Sequence, residues 1–449
     1  MGSVVLASRT EAPVPAQPKR RSGVQHVRFG GIPTPVAFID CSQLLDPLSR
    51  ILVGWPFTTV DRPRGRPILT ISRRGDFYRL TSPAFAGEIR EDTAVSAVCT
   101  LIVELVQAWL AHNSSFLCLH SAAVELNGRL VVFPAIRRAG KSTLAARLAG
   151  GGARIFADDL LPIAADPVRG VALGAALRLR LPLPARSGPT LRRFVRNHAG
   201  LSDGYYCYLD LPETLHAHHG EEAPLKAFVL LDPRRQGPTR IAPIGQGDLL
   251  KFLVQQNVAH FQPGGHILGR TEKVAAAAPA FLLTYGSLEE AATTLEQAFC
   301  GGYSQAPSDH VQPAAPPRLP LGPNAPSPGG GRRRRTTADV ARFRRSPSIE
   351  TRQIADEMFL VDAETDAIHA LDPIGAAIWS LLAEPISPAE ATKLLKQAFP
   401  DSPPRALARD VAAFFSALYA SGLIKQSPPA RTAEHPRPNS GWSGALPKL

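Results

Sequence analysis

The run Ala139-Gly140-Lys141-Ser142-Thr143 lies between an apolar strand pattern and a helix pattern, and it limits the fold more than any other feature. Arg129-Leu-Val-Val-Phe133 reads as a strand, and the helix runs from Ser142 to about Ala149, where Gly150-Gly151-Gly152 ends it. Strand, glycine-containing loop, Lys-Ser and helix together form the context of a phosphate-binding loop. Backbone N–H groups at such a helix start point at phosphate, and the helix dipole favours its negative charge. Lys141 then reaches the β and γ phosphates, Ser142 ligates Mg²⁺ and Gly140 permits close backbone approach, with Ala139 and Thr143 completing the run. A full motif has glycine five positions before Gly140, but this chain has Ala135. Alanine disfavours positive φ, so the loop is expected to be reshaped. Arg137 and Arg138 can compensate with charge-assisted contacts to phosphate. An ordinary helix start with a surface lysine would look the same in isolation.

Two neighbours count against that plainer account. Phe116-Leu-Cys-Leu-His120-Ser-Ala-Ala-Val124 reads as one strand, turned by Asn127-Gly128 into the strand before the loop. Arg154-Ile-Phe-Ala157 enters a further strand that finishes on Asp158-Asp159. Adjacent acids at a strand end beside a phosphate loop can divide two jobs, holding Mg²⁺ and accepting the proton of an incoming hydroxyl. Singly, the acids read as a turn and His120 as a hydrogen-bonded core histidine.

Leu119-His120, the hairpin, Gly140-Lys141-Ser142-Thr143 and Ala157-Asp158-Asp159 together resemble the kinase domain of HPr kinase/phosphorylase. The nearer likeness is to the HPr-kinase-related kinase A group, over about residues 25 to 300. The resemblance implies a P-loop α/β domain akin to phosphoenolpyruvate carboxykinase, with ATP and Mg²⁺ as cofactors and serine phosphorylation as chemistry. Carried over, Lys141 and Ser142 bind phosphate and metal, one of Asp158 and Asp159 is the base, and His120 supports it. Asp158 is favoured as base and Asp159 as the acid nearer the metal, with their order left open. The second HPr kinase signature has no copy here, which argues against HPr as substrate. Arg178 and Arg180 in Leu-Arg-Leu-Arg-Leu are candidates for a phosphate-facing arginine, although two exposed strand arginines are the expected account.

Composition divides the rest of the chain. Residues 1–24 read as a disordered leader and 25–90 as a small β-rich part, with strands at about 35–39, 67–71 and 77–80. A buried amphipathic helix follows from about Asp92 to Ala111, capped by Asp92 or Thr93. Strands are expected at 228–231 and 280–284, and a helix capped by Ser287 closes the unit near 300. From Gly301 to Pro347 the chain is rich in Pro, Gly, Ser and Arg and reads as a linker. A second unit spans 348–426, and 427–449 is a polar tail. The formal net charge of +12 includes Arg332-Arg333-Arg334-Arg335 within the linker, which argues for a solvated tether and against nucleic acid.

In the second unit, strands at 358–361 and 367–371 precede three helix patterns, 373–383, 388–399 and 405–421, stopped by Gly422. Phe359-Leu-Val-Asp362, Ile368-His-Ala-Leu-Asp372, Gly375-Ala-Ala-Ile-Trp379 and Leu423-Ile424 resemble the PqqD family of small winged-helix α+β domains. That resemblance implies binding of leader peptides of ribosomally made natural products. The hairpin of 358–371 and the helix carrying Phe414 and Leu418 would form the groove, while Trp379 is expected in the core.

Five scattered cysteines without a CxxC pair argue against a disulfide framework or structural zinc, and fit a reducing cytoplasm. His216-Ala-His218-His219 reads as a polar loop, not a metal site. The 95–110 stretch is interrupted by Ser96, Thr100, Glu104 and Gln107, so no membrane span is expected. A homo-oligomer is compatible with the sequence. The sequence therefore points to a cytoplasmic kinase acting on a hydroxyl of a peptide or protein that its C-terminal unit recruits. A catalytically silent nucleotide-binding scaffold, spoiled by Ala135, is the competing account, and a small-molecule kinase the third.

Overall fold

The computed structural model describes residues 23–61, 63, 65–134, 139–234, 236–259, 261–300, 341–398 and 403–427. They fall into two compact units that divide within 301–340, with Pro263–Gly265 grouped with the second. The first begins with strands β1 (Val24–Phe29) and β2 (Val36–Ile39), helix α1 (Leu45–Ile51), and strands β3 (Phe57–Thr59), β4 (Leu69–Arg74), β5 (Phe77–Thr81) and β6 (Glu88–Glu91). They form one sheet in the order β3-β1-β2-β4-β5-β6, so the expected β-rich part extends to the start of helix α2 (Ala94–His112). Thr93 caps α2, its hydroxyl accepting the Ser96 N–H at 3.1 Å. Apolar residues recur at helical spacing through Val98, Leu101, Leu105 and Trp109, and this face is buried with residues of β1, β2, β4 and β5 in one core. The helix is long and apolar enough to cross a membrane, with a mean hydropathy of 1.8, and half of that stretch is buried inside the fold.

The expected strand 116–124 is interrupted. It consists of β7 (Leu117–Leu119) and β8 (Ser121–Leu126), with His120 at the break. Asn127 and Gly128 take φ of 52° and 73°, the two positive values of a tight hairpin turn, and lead to β9 (Arg129–Pro134). Helix α3 (Lys141–Ala149) follows, then β10 (Arg154–Ala157), β11 (Leu161–Ala165) and β12 (Val168–Val171). The break at His120 has a counterpart across the ladder. Leu119 faces Leu161 on one side and Ala123 faces Ala157 on the other, so residues 120–122 lie opposite 158–160. Both strands part at the same level, and the polar residues sit in that gap.

Next come β13 (Arg178–Arg180), α4 (Pro189–Asn197), β14 (Ala199–Ser202) and β15 (Tyr206–Leu209), the strands forming a small sheet in the order β13-β15-β14. Strand β16 (Glu222–Pro233) precedes β17 (Arg240–Pro243), α5 (Gln246–Gln256), α6 (Gly264–Ala276), β18 (Ala280–Tyr285) and α7 (Leu288–Cys300). Strand β16 runs parallel to β9 and to β18, so the carboxyl ends of all three point the same way. In an α/β sheet that edge is where ligands bind. Leu144 and Leu148 of α3 and Leu295 of α7 pack with Val131 and Phe133 of β9 in a second core, which fixes the start of α3 at this edge. The His216-Ala-His218-His219 segment is not the expected polar loop. His216 is buried and hydrogen-bonded to the Ala175 carbonyl at 3.2 Å, and His219 stacks on Trp55 with ring centroids 4.3 Å apart. Burial pushes the His216 pKa down to about 4.

The second unit contains β19 (Phe343–Arg345), β20 (Ile349–Ile354), β21 (Glu357–Asp362), β22 (Ile368–Leu371), α8 (Pro373–Leu381), α9 (Pro388–Ala398), α10 (Pro404–Ala420) and β23 (Ile424–Gln426). Three strands, not two, form the sheet β20-β21-β22, and β19 pairs with β23. Strand β19 thus lies inside the stretch 301–347 read as linker. Three residues, two of them arginines, carry too little apolar pattern to register as a strand, and their pairing partner lies some eighty residues on. Trp379 is fully buried, as expected, and its indole N–H donates to Thr351 Oγ1 at 2.8 Å. Of the remaining leader, linker and tail, 1–22, 301–340 and 428–449 lie outside the described residues.

Candidate functional site

Strand β9 delivers the chain to the carboxyl edge of the sheet, and α3 starts there. Of the residues assigned to phosphate, Ala135, Arg137 and Arg138 lie outside the described residues. Ala139 is buried, and its carbonyl accepts from the Tyr285 hydroxyl at 3.5 Å. Gly140 precedes the helix with φ +89°, and a Cβ there would stand 3.2 Å from that hydroxyl. The positive φ favours glycine, and any side chain there would press on the Tyr285 hydroxyl. Lys141 opens the helix and is buried, with Nζ 3.5 Å from His120 Nε2. Ser142 Oγ donates to Asp158 Oδ1 at 2.7 Å, and Thr143 follows, half-buried. The first-turn N–H groups of α3 have no carbonyl one turn back within the helix, so they are available to an anion.

Asp158 is buried, and its second oxygen accepts the Arg178 backbone N–H at 2.9 Å. Burial, then the neighbouring Asp159 charge, push its pKa up to about 7. The Leu160 N–H donates back to the Asp158 carbonyl at 2.9 Å, closing a γ-turn around Asp159, whose φ is +66°. A γ-turn with positive φ is rare and strained, and such strain gathers at functional sites. The turn carries the Asp159 carboxylate out of the strand. Its side chain is 40% exposed, with Oδ1 3.5 Å from His120 Nε2 and Oδ2 3.3 Å from Arg178 Nη2. Burial opposes its charge, but the His120 hydrogen bond and the Arg178 and Lys141 charges outweigh it and hold the pKa below the usual range. The His120 N–H donates to the Gln256 carbonyl at 2.8 Å, which fixes the backbone at the strand break.

The structure thus brings His120, Lys141, Ser142, Asp158 and Asp159 together, but pairs them differently from the favoured assignment. Ser142, the metal-type hydroxyl, contacts Asp158, while His120 contacts Asp159. A proton acceptor must reach its substrate, and of the two acids only Asp159 is substantially exposed. Two oxygens of Ser142 and Asp158 facing one another suit a hard cation such as Mg²⁺, which usually takes one or two carboxylates and completes its shell with water and substrate phosphate. Among the described residues, no group of three or more His, Cys, Asp or Glu could hold an ion by itself.

Arg178 is not the exposed strand arginine expected. Its side chain is 22% exposed, contacts Asp159, donates to Cys99 Sγ from Nη1 and lies 4.9 Å from the Tyr206 ring centroid. Arg180, on the same face by strand alternation, is exposed. The difference comes from what covers the face. Cys99 of α2 and Tyr206 of β15 reach Arg178, and neither is near it in sequence. Cys99, Tyr206, Gln256 and Tyr285 were not singled out from the sequence, because no motif marks residues that act only as neighbours.

In the second unit, β22 forms an edge of its sheet, and among the described residues it pairs with β21 alone. Phe414 is half-buried beside Gly375, where a Cβ would come within 3.0 Å of its ring. Leu418 belongs to the core and cannot line a groove as expected. Its place on the buried stripe with Leu407, Val411 and Phe415 decides this.

Comparison with known proteins bears on this unit. A family profile described as "Coenzyme PQQ synthesis protein D (PqqD)" matches residues 357–424, which are thus a PqqD-family domain. The match runs from β21 to the first residue of β23, so β20, which completes the sheet, precedes it. Among solved structures, one described as "TbiB1 in Complex with the TbiA(beta) Leader Peptide" is similar at 28% identity, covering 18% of this chain and 94% of that chain, with a TM-score of 0.17. No curated protein matches the chain.

Proposed function

We propose that the chain is an ATP- and Mg²⁺-dependent kinase of HPr-kinase-like type, which phosphorylates a hydroxyl, most simply a serine, on a peptide held by its PqqD-family domain. The observation that carries this reading is the meeting of Lys141, Ser142, the acid pair and His120 at the start of α3. The α3 N–H groups, Gly140 and Lys141 bind the nucleotide phosphates. Ser142 and Asp158 would hold Mg²⁺, which would neutralise phosphate charge when bound. Asp159 accepts the proton of the acceptor hydroxyl, and His120, 3.5 Å away, orients that carboxylate. The assignment of base to Asp159 and of metal to Asp158 rests on their exposures and partners, and it reverses the order favoured from sequence.

The PqqD-family domain supports peptide binding in the modification of ribosomally made peptides. Physically, β22 offers main-chain donors and acceptors along an edge, the means by which a sheet adds an extended peptide. Holding the acceptor on the same chain raises its effective concentration at the kinase site.

The test is ATP turnover by the wild type, Lys141→Ala, Asp158→Asn and Asp159→Asn. The expected result is nucleotide binding weakened about tenfold or more in Lys141→Ala, and turnover lowered about a hundredfold or more in Asp159→Asn with ADP binding retained. Equal turnover in all four proteins would sink the assignment.

A further inference from the structure

Arg178 brings a charge into the site that the roles above leave unused. Its strand position is fixed by its own N–H on Asp158 Oδ2 at 2.9 Å, so the side chain starts from a rigid point. Among the described residues the guanidinium contacts Asp159 Oδ2 at 3.3 Å, Cys99 Sγ and the face of Tyr206 at 4.9 Å, and the Asp158 carboxylate and Tyr208 lie within electrostatic reach. Of the groups in direct contact only Asp159 is a carboxylate, and it is engaged through a single Nη atom. A thiol and a ring face orient the planar group without neutralising it. Arginine has five N–H donors in a fixed fork, and the hydrogen bonds to Cys99 and Asp159 engage one Nη each. Donor capacity suited to a planar or tetrahedral oxyanion therefore remains.

The direction follows from Asp159. If that carboxylate takes the proton from the acceptor hydroxyl, the hydroxyl oxygen lies within hydrogen-bond reach of it, and the phosphorus under attack lies next to that oxygen. A guanidinium 3.3 Å from the same carboxylate stands beside the phosphoryl group in transfer. Lys141 approaches the same carboxylate from the His120 side, so the two cations flank it.

We propose that Arg178 is the second phosphate-contacting cation of the site, facing the terminal phosphate of the nucleotide, with Asp159, Cys99 and Tyr206 setting its orientation. This rests on the nucleotide reading above. The experiment is calorimetric titration of the full chain, in Mg²⁺, with ADP and with a non-hydrolysable ATP analogue, for the wild type, Arg178→Met and Arg178→Lys. Loss of a charge-assisted contact made only to the terminal phosphate lowers analogue affinity between about ten- and a hundredfold in Arg178→Met. ADP affinity should stay within about twofold, the analogue-to-ADP ratio being the quantity read, and Arg178→Lys is expected to fall between. Should Arg178→Met fail to fold, Arg178→Lys alone decides by the same ratio. An unchanged ratio, or equal loss for both nucleotides, overturns the role of Arg178 while the nucleotide site stands. A wild type that binds neither nucleotide overturns both.

Discussion

Asp158 spends both carboxylate oxygens inside the fold, on the Ser142 hydroxyl and on the Arg178 N–H. Neither bond removes the cost of burying it beside Asp159, and its pKa stands at about 7 against 3.8 for an ordinary aspartate. The consequence for stability has a definite sign. The folded state holds this proton more tightly than the unfolded chain, so the stabilisation is complete below about pH 3.8 and is lost as pH rises through about 7. Asp158→Asn cannot ionise and should gain on the wild type across that window. In urea unfolding without Mg²⁺, its advantage should grow by ~1–4 kcal/mol between about pH 4.5 and about pH 8. A difference that stays constant with pH would contradict the buried, proton-binding state of Asp158. Asp159 is one position on in sequence but differs in exposure, partners and backbone, since the γ-turn lifts it out of the strand toward His120 and Arg178. That contrast explains why the acid pair was legible and the difference in exposure and partners between its members was not. Two adjacent carboxylates at a strand end can be read from the sequence, whereas a φ of +66° at the second cannot.

At the level of elements, the start of α2 and the turn before β15 are tied together. Thr93 caps the helix through the Ser96 N–H and also donates to Asp203 Oδ2 at 2.7 Å. Asp203 in turn accepts the Tyr205 and Tyr206 N–H groups through its other oxygen, both at 2.7 Å. One side chain thus joins a helix cap to the strand that presents Tyr206 to Arg178. Thr93→Ala should cost about 0.5–2 kcal/mol in urea unfolding, the usual loss for a cap. Thr93→Ser, which keeps the hydroxyl, should recover most of it, and a Thr93→Ala protein as stable as the wild type would show that the cap carries no weight. The same scale shows what sequence patterns transmit. Helix α2, the Asn127-Gly128 hairpin and α3 follow from periodicity and turn residues, which act locally. The strand break at His120 does not, because it depends on Asp158–Leu160 parting at the same level on another strand. The small sheet β13-β15-β14 escaped for a related reason: its strands are three or four residues long and show their purpose only when assembled.

Across the whole molecule, composition marks a Pro-, Gly- and Arg-rich division between two apolar-patterned stretches. The described residues form two compact units. The C-terminal unit was the more legible, since its helices carry clear apolar stripes and end on Gly422 with φ +74°. Its boundary was less so, because β19 needs β23 to exist as a strand. The central claim concerns the first unit, that Lys141 and the start of α3 hold the phosphates of a Mg²⁺-bound nucleotide. Calorimetric titration of MgADP into the full chain tests it most directly, wild type against Lys141→Ala. The account predicts one binding event per chain for the wild type, weakened about tenfold or more by Lys141→Ala, as expected for a lost charge-assisted contact to phosphate. Equal affinity in the two proteins, or no binding by the wild type, would contradict it.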